Sequence, residues 1–317
     1  MKFALDEQQR DFAASIDAAL ATADVPGAVR AWAAGDTAPG RKVWARLADL
    51  GVTALAVPEK FGGIEAHPVD LVVALEQLGR WCVPGPITES IAVAPILMAD
   101  DERAAGLASG ELIVSVALRP AVPRAVDAEV AGLTLVAEDC AVSDATAKQA
   151  HESVDPSRKL YDVNATGDSR PVDVDRASEF GALATAAQLV GAGGALLSAA
   201  VDYAQQRAQF GRVIGSYQAI KHKLADVHIA LELARPLLYG AALSLAGGSP
   251  ETARDVSAAK VAAAEAATLA ARNSLQTHGA IGFTSEHDLS LWLLRVQALR
   301  SAWGDPAWHR RRVLEAL

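Results

Sequence analysis

The sequence predicts a mainly α protein with a small middle β domain, and two observations lead to this fold class. Apolar residues recur at helical spacing over long stretches at both ends of the chain, whereas the segment after Gly110 consists of short runs rich in Val, Leu and Thr. The chain has 317 residues, enough for two or three domains. We expect an N-terminal helical domain at 1–110, a reduced β domain at 111–175 and a C-terminal four-helix bundle at 176–317.

Composition argues against several classes of protein. Hydrophobic residues make up 51% of the chain, and the formal net charge of −9 disfavours nonspecific nucleic-acid binding. Cys82 and Cys140 form no CxxC motif, which favours reduced thiols. The charged segment MKFALDEQQRDFAASI lacks the apolar centre of a secretory signal, and we find no apolar run of about 18 residues. We therefore expect a soluble, cytoplasmic protein without a membrane span.

The N-terminal domain shows helix start and stop signals. Asp6 can cap a first helix, and Gly51 can end the helix over VWARLADLG. Asp70 is expected to cap a helix over DLVVALEQLGR that ends at Gly79. Three prolines in the next segment fix the path of the chain around a short helix.

The middle segment reads as strands. LIVSVAL, EVAGLTLVAED and KLYDVNA show period-two tendencies, and VDPSRK is a turn between two of them. From Ser178 onwards the pattern is helical again, with helices predicted at 178–208, 216–246, 250–277, 285–302 and 306–316. In GGSPE, Ser249 is the expected N-cap and Pro250 the first helical residue.

Two sequence features resemble a dinucleotide-binding motif and a metal site but do not meet the requirements of either. GAGGALL at 191–197 lacks the third glycine and the preceding strand of a dinucleotide fingerprint, so it indicates close helix packing. His222 and His228 are six residues apart, which does not place them on one helix face, and we predict no metal site. His287 and His309 are expected at the surface or at helix caps, with a pocket-lining role left open.

The stretch YAQQRAQFGRVIGSYQAIKHKLAD is more informative, because an amphipathic helix breaks at a glycine and then resumes. Arg207 in the last turn is explained by the helix dipole alone, but Phe210 in the loop and Gln218 at the next helix start are not. A guanidinium suits a phosphate, and an aromatic ring offers an apolar face. LQTHGAIGF is a second glycine-marked break, and the two breaks could meet at one dinucleotide.

These segments resemble the acyl-CoA dehydrogenase family. The resemblance runs in order through LDEQQRDF, WARLADLGVTALAVPEKFGG, DLVVALEQLGRWCVPGP, the broken helix and LQTHGAIGFTSEHDL. It implies a helical domain, a β domain and a four-helix bundle, and FAD as the cofactor that removes two hydrogens from an acyl-CoA thioester. It also implies that the helical motifs hold the FAD of a neighbouring subunit. The positions carried over for this role are Arg207, Gln209, Phe210, Gln218, Gln276 and Gly279.

The sequence departs from the family pattern in two respects. We find neither the TEP-then-GSD loop nor the W-[IV]-[ST]-N-G strand, which normally seat the flavin ring of the subunit's own FAD. The catalytic glutamate is missing from both usual positions, which are here Gly304, after Trp303, and Gly181. Asp305 could serve as base, but it is also a good N-cap for the last helix, and we favour the cap.

Three hypotheses follow from the resemblance. The chain is either a subunit that lacks its own catalytic glutamate and completes the FAD site of a longer acyl-CoA dehydrogenase subunit, or a self-sufficient homo-oligomeric dehydrogenase using Asp305, or a non-enzymatic structural or acyl-CoA-binding relative. The retained RAQFG and LQTHG motifs and the two missing glutamates favour the first. The resemblance then implies a heterotetramer, a bulky acyl-CoA such as a steroid side chain, and an electron-transfer flavoprotein as electron acceptor.

Overall fold

A computed structural model describes residues 4–317; residues 1–3 of the segment expected to lack a secretory signal lie outside the described residues. The N-terminal part is helical. Its helices are α1 (Glu7–Ala21), α2 (Val25–Ala33), α3 (Ala38–Asp49), α4 (Pro68–Arg80), a π-helical turn (Thr88–Val93), α5 (Ala94–Leu97) and α6 (Ala104–Ala108).

The predicted caps of α1 and α3 are confirmed. The Gln9 N–H donates to Asp6 Oδ1 at 2.8 Å, and the Asp6 N–H donates to Gln9 Oε1 at 3.1 Å, which closes a capping box. Gly51 follows α3 with φ +76°, in the left-handed conformation that glycine adopts most easily.

The predicted ends of α4 are wrong. The helix begins at Pro68, because His67 Nδ1 accepts from the Val69 N–H at 3.2 Å and so caps the first turn. Asp70 lies inside that turn, where its carboxylate accepts from Gln9 Nε2 at 2.9 Å and ties α4 to α1. The helix also continues past Gly79.

Glycines allow α4 to touch the first bundle helix at backbone distance. A Cβ on Gly79 would lie 2.2 Å from the carbonyl oxygen of Gln188, and one on Gly191 would lie 1.9 Å from that of Glu76. Such contacts exclude any side chain at either position. The packing role predicted for GAGGALL is confirmed.

The strands lie between Val114 and Pro171 and form one five-stranded sheet with the order β1-β3-β4-β5-β2. β1 and β3 are parallel, and the other pairs are antiparallel. β4 and the short β2 were not predicted, because the sequence of β4 is largely polar and much of that strand is exposed. The strands are β1 (Val114–Leu118), β2 (Ala125–Val126), β3 (Leu133–Glu138), β4 (Ala141–His151) and β5 (Leu160–Pro171).

The C-terminal part is the predicted helical bundle. A small hairpin of β6 (Ala208–Gln209) and β7 (Arg212–Val213) interrupts it after the first helix. The helices are α7 (Val174–Gln206), α8 (Gln218–Ala246), α9 (Thr252–His278), α10 (Leu289–Ser301) and α11 (Pro306–Glu315).

The expected cap at Ser249 is wrong. Helix α9 begins at Thr252 with Glu251 at its N-cap. Ser249 belongs to the turn before it, where its hydroxyl accepts from the Glu251 N–H at 3.2 Å and its carbonyl from the Thr252 N–H at 3.0 Å. These bonds occupy both oxygens of Ser249, so the helix starts after the turn is closed.

The sequence pattern predicts no segment able to span a membrane, and for two helices that prediction is wrong. Judged by length and composition alone, α7 and α8 are long and apolar enough to cross a membrane. The protein buries 83% of the most apolar window of α7, so that helix is the centre of the bundle. The corresponding window of α8 is 33% buried, and its outer face carries Ile229, Leu233 and Leu237.

Candidate functional site

The break after α7 is a tight hairpin that holds an aromatic side chain in solvent. Phe210 has φ +52° and Gly211 φ +82°, so the turn uses the left-handed region twice in succession. The Tyr217 hydroxyl lies 3.3 Å from the carbonyl oxygens of Gln209 and Phe210, and the Arg212 guanidinium covers the Tyr217 ring at 4.0 Å. The turn is therefore held by contacts of its own, while the Phe210 side chain is 90% exposed.

Arg207 lies at the end of α7 and is available to a ligand. Its side chain is exposed and makes no hydrogen bond or ion pair within residues 4–317. Gln209 beside it on β6 and Gln218 at the first position of α8 are also exposed. A single short segment thus presents a guanidinium, two amides and an aromatic ring to solvent.

The second break ends α9. Gly279 has φ +68° and ψ −146°, a conformation that is essentially restricted to glycine. Nothing lies within 4 Å of the position of its absent Cβ, so its backbone is open to approach. Gln276, one turn earlier, is exposed, and Phe283 after the break is 78% exposed.

The two breaks meet at one end of the bundle, as the sequence suggests. The Tyr203 ring, one turn before Arg207, stacks on the His278 ring with centroids 4.4 Å apart. His287 packs edge-on against His278 at 5.3 Å and caps α10 by accepting from the Leu289 N–H. We call the following residues, to which the family resemblance assigns FAD contacts, the cofactor clamp: Arg207, Gln209, Phe210, Gln218, Gln276 and Gly279.

Neither expected position of a catalytic base leaves room for a side chain. A Cβ on Gly181 would lie 2.1 Å from Cε3 of Trp303, and Gly304 has φ +96° with His309 Nε2 2.5 Å from its absent Cβ. Trp303 Nε1 donates to Glu89 Oε1 at 3.0 Å. The ring of Trp303 therefore fills the space beside Gly181, and His309 and Trp308 fill the space beside Gly304.

A buried lysine holds the turn that carries this tryptophan. Lys260 Nζ donates to the carbonyls of Leu299 and Arg300 at 3.1 Å and of Gly304 at 3.3 Å. Its side chain is fully buried, and burial lowers the pKa of Lys260 to about 7. Three carbonyl oxygens match the three donors of an ammonium group.

Asp305 caps the last helix. Its carboxylate accepts from the Trp308 N–H at 2.7 Å, and this backbone hydrogen bond holds the pKa of Asp305 below its usual range. The catalytic alternative for Asp305 stays a prediction. For His309, neither the expected surface position nor the expected helix cap is found, and only the pocket-lining role stays open. It is fully buried, and its ring bonds to Ser257 Oγ at 3.1 Å and to the Trp303 carbonyl at 2.9 Å.

Sequence reasoning missed Glu89 and Arg158. Glu89 lies in the buried π-helical turn, and Arg158 follows the turn before β5. The one signal for Glu89 is that it is the only charged residue in the mostly apolar run ITESIAVAPIL. Within residues 4–317, no group of three or more His, Cys, Asp or Glu side chains is placed to hold a metal ion.

A helical domain, a small sheet and a bundle with two surface breaks are the architecture that the resemblance to a flavin-dependent dehydrogenase family implies. Residues 6–102 match the model of the acyl-CoA dehydrogenase N-terminal domain, and residues 175–317 match that of the C-terminal domain. The chain belongs to the acyl-CoA dehydrogenase family, as the sequence motifs predict.

Known relatives support this assignment. The acyl-CoA dehydrogenase IpdE2 of Mycobacterium tuberculosis is 30% identical over 296 residues, covering 91% of this chain and 90% of that protein. The ChsE4-ChsE5 complex of the same organism contains a chain with the same fold, with a TM-score of 0.85 and 23% identity over 99% of this chain and 98% of that one. The FAD complex of PigA has the fold too, with a TM-score of 0.81 and 17% identity over 100% of this chain and 99% of the PigA chain. The expected cofactor, FAD, is thus bound within this fold.

Proposed function

We propose that this chain is a subunit of a heteromeric FAD-dependent acyl-CoA dehydrogenase that completes the FAD site of a longer catalytic partner. The observation that carries the proposal is the contrast between two regions. The cofactor clamp is exposed and open, whereas aromatic side chains fill the space beside Gly181 and Gly304. A cofactor surface is retained, and the space for a base is filled.

The clamp residues fit a dinucleotide. Arg207 has no partner of its own within residues 4–317, so its guanidinium is free for a pyrophosphate. The exposed ring of Phe210 offers apolar cover for the adenine side, and Gly279 allows close approach of a backbone N–H. FAD, when bound, supplies the hydride acceptor for α,β-dehydrogenation; this chain's residues would bind and orient its adenosine diphosphate part.

The exposed cofactor clamp also supports the presence of a partner chain. A site made of one exposed surface needs a second chain to enclose the ligand, and the outer face of α8 exposes Leu233 at 67% beside Ile229 and Leu237. The proposed assembly is a heterotetramer; the ChsE4-ChsE5 complex, which contains a chain with this fold, supports a heteromeric assembly. An electron-transfer flavoprotein is the proposed electron acceptor.

The proposed substrate is a bulky acyl-CoA thioester such as a steroid side chain. Support comes from the reduced β domain and from a further neighbour of this fold, the Tcur3481-Tcur3483 steroid acyl-CoA dehydrogenase variant, which has a TM-score of 0.84 at 21% identity. A smaller β domain leaves more room for a large acyl group in an assembled enzyme.

The test is the FAD content of the chain purified alone and after co-expression with a longer family member. We expect little or no FAD in the chain alone and bound FAD in the complex. A yellow homo-oligomer with one FAD per chain that turns over an acyl-CoA would contradict the proposal and favour the self-sufficient enzyme with Asp305 as base. A colourless complex with no turnover would favour the non-enzymatic alternative.

A further inference from the structure

The two halves of the cofactor clamp are carried by different helices, and one pair of rings joins those helices at the clamp. Arg207 is the C-cap of α7, and Gln276 and Gly279 belong to the end of α9. The half-buried Tyr203 ring, one turn before Arg207, stacks on His278 with the centroids 4.4 Å apart and the ring planes at 27°. His278 directly precedes Gly279, so the stack connects the residues next to both breaks.

Contacts on several sides hold the His278 ring in place. Its Nδ1 lies 2.9 Å from the Ser274 carbonyl oxygen, which can only accept, so Nδ1 carries the proton. The His287 ring packs edge-on against it at 5.3 Å. A Cβ on Gly282 would lie 2.9 Å from the Cβ of His278, so the turn after α9 folds tightly over this residue. A ring fixed in this way can orient the backbone that follows it.

The His278 ring is uncharged at neutral pH. Burial lowers the pKa of His278 below its ordinary value of 6.5, and the hydrogen bond to the Ser274 carbonyl opposes this shift only in part. The contact with Tyr203 is therefore an aromatic stack and not a cation–π pair. Such a stack depends on the distance and angle between the rings, so it can hold two segments in one relative placement.

We propose that Tyr203 and His278 are positioning residues of the cofactor clamp. Their stack sets the distance between Arg207 on α7 and Gly279 on α9, so that both halves are in place before the ligand arrives. A ligand that contacts both halves then binds more tightly, because less of its site has to be ordered on binding. The inference rests on the proposed role of the clamp in FAD binding, and it requires no contact between either ring and the cofactor.

The first measurement uses the full chain alone, without flavin. Hydrogen–deuterium exchange is followed at the end of α9, where the Gly279 N–H donates to the Leu275 carbonyl. Tyr203→Ala changes only α7, so it should reach this amide through the lost stack and speed its exchange about three- to tenfold. Tyr203→Phe keeps the ring and should exchange like the unaltered chain.

The second measurement is the rate of FAD release from the complex with the proposed catalytic partner. Tyr203→Ala and His278→Ala should each release FAD about three- to tenfold faster. Tyr203→Phe and His278→Phe keep a ring at the stack and should restore most of the difference.

Phe12→Ala is the control for a general loss of stability. Phe12 is a half-buried aromatic residue of α1 that packs against the hydrophobic core and takes no part in the clamp. Its replacement should leave both FAD release and exchange at the end of α9 within about twofold of the unaltered chain, because distant sites act independently.

The outcomes separate this inference from the proposed function. If Arg207→Ala speeds FAD release but Tyr203→Ala and His278→Ala do not, the clamp binds FAD and the stack does not position it. Unchanged exchange at the end of α9 in Tyr203→Ala, or equal effects of alanine and phenylalanine at 203, would also overturn the inference. If Arg207→Ala leaves FAD release unchanged, the proposed function fails and the inference fails with it.

Discussion

Replacing Arg207 by alanine should weaken FAD binding in the assembled enzyme without lowering the folding stability of this chain. The side chain is exposed and has no hydrogen bond or ion pair within residues 4–317, so its loss breaks no internal contact. A hydrogen bond to a charged group contributes about 1.5–3 kcal/mol, which corresponds to roughly tenfold to a hundredfold in Kd. Arg207→Lys should recover only part of this, because one ammonium cannot reproduce the guanidinium fork.

The assay measures the rate at which FAD dissociates from the complex of this chain with the proposed catalytic partner. Flavin fluorescence reports the release. Arg311→Ala is a matched control, because Arg311 is also exposed and unpaired in the described residues. It lies on α11, which contacts α9 near Ser257. Ser257 and His278 are 21 residues apart on α9, so the control lies about 30 Å along the helix from the clamp.

The comparison of the two variants shows whether the cofactor clamp contributes to FAD binding. If Arg207→Ala and Arg311→Ala release FAD at the same rate from an intact assembly, the clamp contributes nothing to cofactor binding. A parallel loss in Phe210→Ala would support apolar cover of the adenine side, since its ring is 90% exposed and free of internal packing.

Three further changes test the fold around the site. Asp305→Asn should cost up to about 1 kcal/mol in urea unfolding and leave turnover nearly unchanged, because both residues cap well; a loss of several orders of magnitude with folding preserved would identify the base. Gly191→Ala should cost at least about 1–3 kcal/mol, because its Cβ would lie 1.9 Å from the carbonyl oxygen of Glu76, whereas Gly194→Ala, whose nearest neighbour is 3.9 Å away, should not destabilise. Burial lowers the pKa of His309 to about 4 from 6.5, so its protonation favours the unfolded chain. The contribution of His309 to the free energy of unfolding is complete above pH 6.5 and falls by up to about 3 kcal/mol towards pH 4. In His309→Gln, unfolding curves measured across this range should lack this part of the pH dependence.

The elements that the sequence predicts correctly are those with local signals. Asp6 and Gly51 mark helix ends through bonds to residues within one turn, and the break at Gly279 is visible from the glycine itself. Asp70 has the chemistry of a cap, but Gln9 of α1 occupies its carboxylate, and a local pattern does not reveal that tertiary contact. Ser249 is occupied within its own turn by the N–H groups of Glu251 and Thr252, so two local structures compete for the same residue.

The buried polar centre could not be predicted for a related reason. Glu89, Arg158 and Trp303 come from three distant segments of the chain, and the cavity that they line exists only where those segments meet. The same holds for His309, whose burial depends on Ser257 and on the Trp303 carbonyl. The clamp differs, because most of its residues lie in two short motifs that can be read directly.

The filled space beside Gly181 and Gly304 has an evolutionary consequence. A glutamate introduced at 181 would collide with Trp303, whose nearest atom would be 2.1 Å from the new Cβ, and one at 304 would meet His309 at 2.5 Å and a left-handed backbone. Neither position accepts a carboxylate until the neighbouring aromatic residues have changed first. If the chain descends from a self-sufficient enzyme, reversion needs several coordinated substitutions, each without benefit alone. The dependence of this chain on a second subunit would then be difficult to reverse, and the two genes would be expected to persist or disappear together.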